Sequence, residues 1–285
     1  MSEESAGSGG IKASGGFNES RRFKGSAISV GVFDGLHLGH QALIKRIVDR
    51  GPNPTVVTFR ENPKKCILRM KQAENSYNGD IFSLKQKLTA FERMGVNRLI
   101  LIDFSEKFSK LKGWEFFDIL EEKAKMVFLT IGSNFRCGYR QDTGAAYIKE
   151  MNERKGIPTE VIAPVKYGKV EVSSSRIRSA IGSGNLKQAA ALMGHSVELD
   201  LSDLRSVDLQ SLDLRSVDAR YGEGWLYDLN LVQRITPANG SYPVLMYPGR
   251  ISGRALIENG KVYLPVKAES LEFITDPVSG SSNPG

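Results

Sequence analysis

Two of the three histidines in this chain, His37 and His40, stand three residues apart in the stretch Gly31-Val32-Phe33-Asp34-Gly35-Leu36-His37-Leu38-Gly39-His40. Imidazole N–H groups can donate hydrogen bonds to an anionic ligand, and the glycines at 31, 35 and 39 remove Cβ atoms where such a ligand would approach the backbone. A second stretch, Val172-Ser173-Ser174-Ser175-Arg176-Ile177-Arg178, gathers three hydroxyls and two guanidinium groups. A guanidinium grips phosphate oxygens in a planar fork. Both stretches therefore suit phosphate.

The surrounding sequence supplies the elements that must position them. Apolar Ala27-Ile28-Ser29-Val30 precedes the first stretch, and amphipathic Leu43-Ile44-Lys45-Arg46-Ile47-Val48 follows it. This reads as strand, glycine-rich turn and helix. A helix that starts at such a turn offers unpaired N–H groups and the positive end of its dipole to an anion. The same arrangement opens doubly wound α/β domains, although the spacing matches neither the dinucleotide fingerprint nor the P-loop. In the second stretch Ser175 is expected to cap a short helix whose apolar face carries Ile177, Ala180 and Ile181.

Between the two stretches the chain alternates. Strands are expected over 54–59, 98–104, 125–131 and 159–163, and helices over 84–94, about 113–125 and about 145–155, with 66–80 polar and irregular. The expectation is an α/β, doubly wound parallel sheet over 23–195. After His195 the character changes. Leu204-Arg205-Ser206-Val207-Asp208 recurs as Leu214-Arg215-Ser216-Val217-Asp218, too few copies for a repeat array, so a linker or edge hairpin is expected. Short apolar runs between turn residues then predict a small antiparallel β-barrel-like domain over 196–277. Residues 1–22, rich in Gly, Ser and Glu, are expected to be a disordered leader, and 278–285 a disordered tail.

Composition narrows the class. The chain has 285 residues, 40% of them hydrophobic and 25% charged, as in an ordinary globular protein. Its net charge of +7 suits an anionic ligand, but there is no arginine-rich stripe or aromatic-basic repeat of the kind that favours nucleic acid. No apolar run approaches the roughly 18 residues of a membrane span, and no signal peptide is evident. Cys66 and Cys137 make neither a disulfide framework nor a zinc site, and a cytoplasmic location is expected. The sequence is silent on oligomeric state.

The Gly-x-Phe-Asp-Gly-x-His-x-Gly-His pattern resembles the first motif of the HxGH nucleotidyltransferases. Its Phe-Asp-Gly context is most similar to bacterial FAD synthetases, the adenylyltransferase module usually fused to a riboflavin kinase. Three more stretches resemble that family in order. Thr58-Phe59-Arg60-Glu61-Asn62-Pro63 resembles its Thr-Phe-x-x-x-Pro segment. Gly132-Ser133-Asn134-Phe135-Arg136-Cys137-Gly138 resembles its Gly-x-Asn/Asp-Phe-x-Phe-Gly loop, with Cys137 at the second aromatic position. Residues 172–178 resemble its Ile-Ser-Ser-Ser/Thr-x-Ile-Arg motif.

This resemblance, from about Lys24 to His195, implies transfer of AMP from ATP to FMN, giving FAD and pyrophosphate. It implies His37, His40, Arg178 and Asp34 as the catalytic set. It implies Gly31, Phe33, Gly35, Asn134, Ser173, Ser174, Ser175 and Arg176 for ATP, and Phe59, Asn62, Pro63 and Phe135 for the flavin. Mg²⁺ is expected with the nucleotide, and no side chain is assigned to it directly. In the C-terminal part, Pro237-Ala238-Asn239-Gly240-Ser241-Tyr242 looks like a strand entry of the kinase barrel. The kinase's Gly-Phe-Pro-Thr-Ala-Asn motif is missing: Trp225 to Asn230 keeps only the last asparagine and has Asp228 in place of the threonine. A degenerate barrel is expected, in which riboflavin kinase activity is doubtful. Open alternatives are a bifunctional enzyme, a transferase with another phosphate acceptor, and a non-catalytic flavin or nucleotide binder.

Overall fold

The computed structural model describes residues 11–12, 25–209 and 224–275. The expected leader, apart from residues 11–12, the second Leu-Arg-Ser-Val-Asp copy and the expected tail lie outside the described residues. The chain divides into two compact units. Among the described residues, one comprises those up to Phe33, Gly39–Tyr77 and Leu88–Val165; the other comprises Asp34–Leu38, Asn78–Lys87 and those from Lys166 onward.

The first unit is built on a sheet of β1 (Ile11–Lys12), β2 (Ser26–Val30), β3 (Thr55–Phe59), β4 (Arg98–Ile102), β5 (Met126–Gly132) and β8 (Thr159–Ile162), in the order β1-β4-β3-β2-β5-β8. A small pair, β6 (Arg136–Cys137) and β7 (Thr143–Gly144), lies beside it in sequence. All pairings in the large sheet are parallel except that of β1 with β4. The parallel part starts at β2, adds β3 and β4 on one side, then β5 and β8 on the other. The end of β2 is thus the topological switch point, where ligands bind in doubly wound sheets. All five residues of β2 are buried, and the Ser29 hydroxyl donates to the Thr130 carbonyl of β5 at 3.0 Å.

Helices α1 (Leu38–Arg50), α2 (Pro63–Met70), α3 (Leu84–Arg93), α4 (Glu106–Ser109), α5 (Gly113–Ala124) and α6 (Ala145–Arg154) follow the strands, as βα alternation requires. Their apolar faces and the β-branched strands make the core: Ile28, Val57, Ile100, Ile102, Phe116, Phe117, Leu120, Leu129, Ile131 and Ile148 are all buried. The stretch 66–80 is more regular than its polarity suggests. Asn62 caps α2, accepting from the Lys64 amide at 3.1 Å, and Pro63 supplies the first turn.

The second unit carries β9 (Lys166–Tyr167), β10 (Val170–Glu171), α7 (Ser174–Gly182) and α8 (Leu186–Met193), then seven antiparallel strands. These are β11 (Glu198–Asp200), β12 (Val207–Asp208), β13 (Trp225–Asp228), β14 (Gly240–Tyr247), β15 (Ile251–Glu258), β16 (Lys261–Leu264) and β17 (Ser270–Phe273), ordered β11-β17-β14-β15-β16-β13-β12. Alternation buries Val244 and Met246, Ala255 and Ile257, Val262 and Leu264, and Leu271 and Phe273 on one face. The sheet is an open, barrel-like one whose edges are β11 and β12. The first Leu-Arg-Ser-Val-Asp copy supplies edge strand β12. Strand β13 stops at Asp228, because the Asp228 carboxylate accepts from the Asn230 amide and turns the chain into a 3₁₀ helix at Leu229–Val232.

Candidate active site

In the second unit the two phosphate-suited stretches meet. Asp34 opens a short 3₁₀ turn, Asp34–Leu36, in which Gly35 has φ 73° and Leu36 φ 35°. A Cβ on Gly35 would sit 2.9 Å from the Ile81 side chain, so both conformation and space require glycine there. Leu36 has no such licence; a non-glycine residue held at positive φ is the kind of local strain that clusters at functional sites.

Asp34 itself is buried and fully engaged. Its carboxylate accepts from the Ile81 amide at 3.0 and 3.1 Å, from the Phe82 amide at 2.9 Å, and from Arg178 Nη2. Arg178 also donates through Nε to the Gly79 carbonyl at 2.8 Å. Ser174 Oγ donates to the Asp34 carbonyl at 3.1 Å, across 140 residues of sequence. Burial pushes the Asp34 pKa up and the Asp80 charge adds to this, while Arg178 and the Phe82 and Ile81 amides oppose it. Lys87 is buried in the same group. Desolvation lowers its pKa, and the negative charges of Asp34 and Asp80 work against that.

His37 lies just before α1 and is buried. Desolvation lowers its pKa to about 4, with the charges of Arg178 and His195 acting in the same direction. At neutral pH it is an uncharged imidazole. His195 reaches the same turn: its Nε2 lies 3.2 Å from the Gly35 carbonyl oxygen and its Nδ1 2.9 Å from that of Ser196.

The serine-rich stretch begins α7, but its cap is Ser173, not the expected Ser175: Ser173 Oγ accepts from the Arg176 amide at 3.4 Å. The cap falls there because Ser173 keeps extended backbone angles while Ser174 and Ser175 already belong to the first turn. Ser175 and Arg176 are exposed, and Ser174 and Arg178 half-buried.

The first unit holds the other expected site residues. Gly31 directly follows β2, its amide donating to the Val57 carbonyl at 3.1 Å. Phe33, expected to contact ATP, is fully buried at φ 54°; its ring is a packing surface, edge-on to His40 at 5.2 Å and to Phe91 at 5.6 Å. Phe59 and Phe135 stand at the two ends of one series of edge-to-face rings. Phe59 meets Phe108 at 6.2 Å, Phe108 meets Phe116 at 5.7 Å, Phe116 meets Phe117 at 5.5 Å, and Phe117 meets Phe135 at 6.3 Å. Asn134 is exposed in the tight turn after β5, where the Phe135 amide donates to the Gly132 carbonyl at 3.0 Å. Asn62 and Pro63 form the start of α2 as described.

The sequence reading missed the segment 79–87, which supplies Gly79, Ile81, Phe82, Asp80 and Lys87 to the Asp34–Arg178 pair. One signal was present: Ser83-Leu84-Lys85-Gln86 is a capping box, with the Gln86 amide donating to Ser83 Oγ at 3.1 Å and the Ser83 amide to Gln86 Oε1 at 2.9 Å.

Among the described residues no group of three or more His, Cys, Asp or Glu side chains could hold a metal ion, and both Asp34 oxygens are engaged by donors. The donor set thus fits a metal carried by a ligand's phosphates rather than one caged by carboxylates. In the Trp225–Asn230 stretch, Asn230 Nδ2 donates to Asp228 Oδ1 at 3.0 Å and to the Asn259 carbonyl at 2.9 Å, a local structural lock.

Residues 19–176, more than half of the chain, match the family model described as FAD synthetase. Over 174 residues the chain is 26% identical to the bifunctional riboflavin kinase/FMN adenylyltransferase of Buchnera aphidicola subsp. Acyrthosiphon pisum (strain APS), covering 59% of this chain and 54% of that protein. It is 25% identical over 177 residues to the protein of the same description from Escherichia coli (strain K12), covering 60% and 55%. It is 23% identical over 175 residues to the FAD synthetase of Listeria monocytogenes serovar 1/2a (strain ATCC BAA-679 / EGD-e), covering 60% and 70%. The chain thus spans about half the length of the bifunctional relatives it matches. Among solved structures it resembles a macrolide-efflux protein from Streptococcus pneumoniae, with a TM-score of 0.63 and 25% identity over 87% of this chain and 80% of that one. No helix among the described residues is long and apolar enough to cross a membrane.

Proposed function

The chain belongs to the FAD synthetase family, and on that premise we propose that it is a nucleotidyltransferase that moves AMP from ATP to FMN, giving FAD and pyrophosphate. The observation that carries this is the joining of Asp34, from the histidine-containing stretch, to Ser174 and Arg178, from the serine-arginine stretch. Two segments suited to phosphate, far apart in sequence, support one phosphate-binding apparatus.

The nucleophile is the FMN phosphate. A phosphate monoester has a second pKa near about 6 and is largely dianionic at neutral pH, so no general base is required. The difficulty is bringing one anion to the α-phosphorus of another, and catalysis is then positioning and charge stabilisation. Neutral His37 donates one hydrogen bond to a phosphate oxygen, and His40 donates another. Arg178, held by Nε and Nη2, directs its remaining Nη1 edge at phosphate. Ser174, Ser175 and Arg176 hold the β- and γ-phosphates, with Gly31, Gly35, Ser173 and Asn134 along the nucleotide. Asp34 acts through Arg178 and is a positioning residue. Phe59, Asn62, Pro63 and Phe135 take the flavin. Mg²⁺ carried by ATP would supply charge neutralisation of the phosphates, which Ser174, Ser175, Arg176 and Arg178 hold from the protein side.

Riboflavin kinase activity is not part of this reading, which is supported by the Asn230 side chain being tied to Asp228 and Asn259. A cytosolic setting is supported by two free thiols, Cys66 and Cys137. The test is product analysis after incubation with ATP and Mg²⁺. The reading expects FAD from FMN and no product from riboflavin. FMN or FAD from riboflavin would restore the bifunctional alternative, and no FAD from FMN would overturn the proposal.

A further inference from the structure

Within the second unit the segment that grips Asp34 is itself gripped by the β domain formed by β11–β17. Asp80 pairs with the chain after the 3₁₀ turn: its amide donates to the Gln233 carbonyl at 2.9 Å, and the Ile235 amide donates to its carbonyl at 3.0 Å. Gly79, at φ 85°, lies so close to that strand-like stretch that a Cβ would meet the Ile235 amide nitrogen at 2.6 Å and the Arg234 carbonyl carbon at 2.8 Å. Four residues on, Ser83 Oγ donates to Asp200 Oδ2 at 2.5 Å, and Gln86 Nε2 donates to the Glu198 carbonyl at 3.3 Å.

Asp200 is the centre of this attachment. Its other oxygen accepts from the Ser202 amide at 3.0 Å and the Ser202 hydroxyl at 2.7 Å, and its carbonyl accepts from the buried Arg234 guanidinium. Arg234 is fixed in turn by Asp203, Nη2 to Oδ2 at 2.7 Å. Burial works against ionisation of Asp200, but the Ser83 and Ser202 hydroxyls outweigh it and hold the pKa below the ordinary carboxylate value.

We propose that Gly79 and Asp200 are positioning residues for adenylyl transfer. The β domain clasps residues 79–86 and thereby sets the two amides that hold the Asp34 carboxylate and the carbonyl that holds Arg178. This gives the β domain a task that needs no kinase chemistry: without it the phosphate-binding apparatus loses its frame. The proposal rests on the adenylyltransferase reading for its catalytic consequence, and the clasp itself stands on geometry alone.

The test uses the full chain with Asp200→Ala, Asp200→Asn and Gly79→Ala, read by FAD-forming kinetics and by amide hydrogen exchange. Asp200→Ala and Gly79→Ala should lower kcat at least about tenfold while the KM for ATP stays within about threefold. The Ile81 and Phe82 amides should exchange at least about tenfold faster, with the β14–β15 hairpin still protected. Asp200→Asn keeps an acceptor for Ser83 and should recover most of the rate. Faster exchange with unchanged kcat would overturn the positioning role. Loss of β14–β15 protection together with kcat would also overturn it, in favour of general unfolding. If the wild-type chain forms no FAD, the adenylyltransferase reading fails and the positioning role fails with it. Exchange then judges the clasp alone, and unchanged Ile81 and Phe82 protection in Asp200→Ala would overturn that too.

Discussion

Asp34 and Arg178, 144 residues apart in the chain, are joined carboxylate to guanidinium, and the same guanidinium donates to the Gly79 carbonyl at 2.8 Å. Removing one member of a buried pair leaves the other charge unpaired, at a cost of about 3–5 kcal/mol, whereas removing both is cheaper. Asp34→Asn and Arg178→Met should each lower the urea midpoint, and the double variant should unfold at a higher midpoint than the worse single. FAD formation should remain lost in all three. Recovery of activity along with stability in the double variant would show that the pair serves the fold alone.

His37 yields a pH dependence whose sign is fixed. Its pKa falls from 6.5 to about 4 on folding, so between those values the unfolded chain binds a proton that the folded chain does not. Stability is therefore complete above pH 6.5 and is lost as pH falls toward 4, by about 2–3 kcal/mol for this one group. Urea unfolding of the wild type and of His37→Gln across that range should show the wild type losing more stability by this amount. Parallel curves would contradict the burial of a neutral imidazole.

His40 is set edge-on against the Phe33 ring at 5.2 Å. If its hydrogen bond strengthens as charge develops on the transferring phosphate, His40→Ala should lower kcat by about 10²–10³. FMN affinity, followed by flavin fluorescence, should change by less than about tenfold. Equal losses in both would assign His40 to ground-state binding.

Tyr227 is buried at 1% exposure, and its hydroxyl both donates to the Ala268 carbonyl and accepts from the Ala268 amide, each at 2.8 Å. Tyr227→Phe keeps the ring but leaves two buried backbone groups unpartnered. A loss of about 1–3 kcal/mol is expected in urea unfolding. A change within a few tenths of a kcal/mol would mean that water takes the place of the hydroxyl.

The parts of the fold legible in the sequence are those governed by local rules. The buried β-branched run Thr55–Phe59 and the apolar spacing of Leu84, Leu88 and Phe91 announced β3 and α3 directly. Proline at the start of α2 was a usable signal, but the charged Pro63–Met70 sequence, with Cys66 alone fully buried, hid the helix in a stretch read as irregular. By residue type any of the three serines can cap α7; the extended backbone at Ser173, which local sequence does not reveal, selects it over Ser175. In the site, residue types and order pointed to Asp34, His37, Ser174 and Arg178. The contribution of Gly79, Ile81 and Phe82 was invisible, because two of them act through backbone amides and one through a carbonyl, which carry no residue-specific signature. Phe33, from the same motif, is fully buried and packs its ring on His40 and Phe91, a role that residue type alone does not reveal.

The central claim is that the α-phosphate of ATP, and not its γ-phosphate, is transferred to a flavin. The most direct test follows two labels in parallel reactions of the full chain with FMN and Mg²⁺, one with ATP labelled at the α-phosphate and one at the γ-phosphate. The account predicts that the α-label appears in FAD and the γ-label in pyrophosphate, in equal amounts. Label from the γ-position in a flavin, or no α-label in FAD from folded protein, would contradict it.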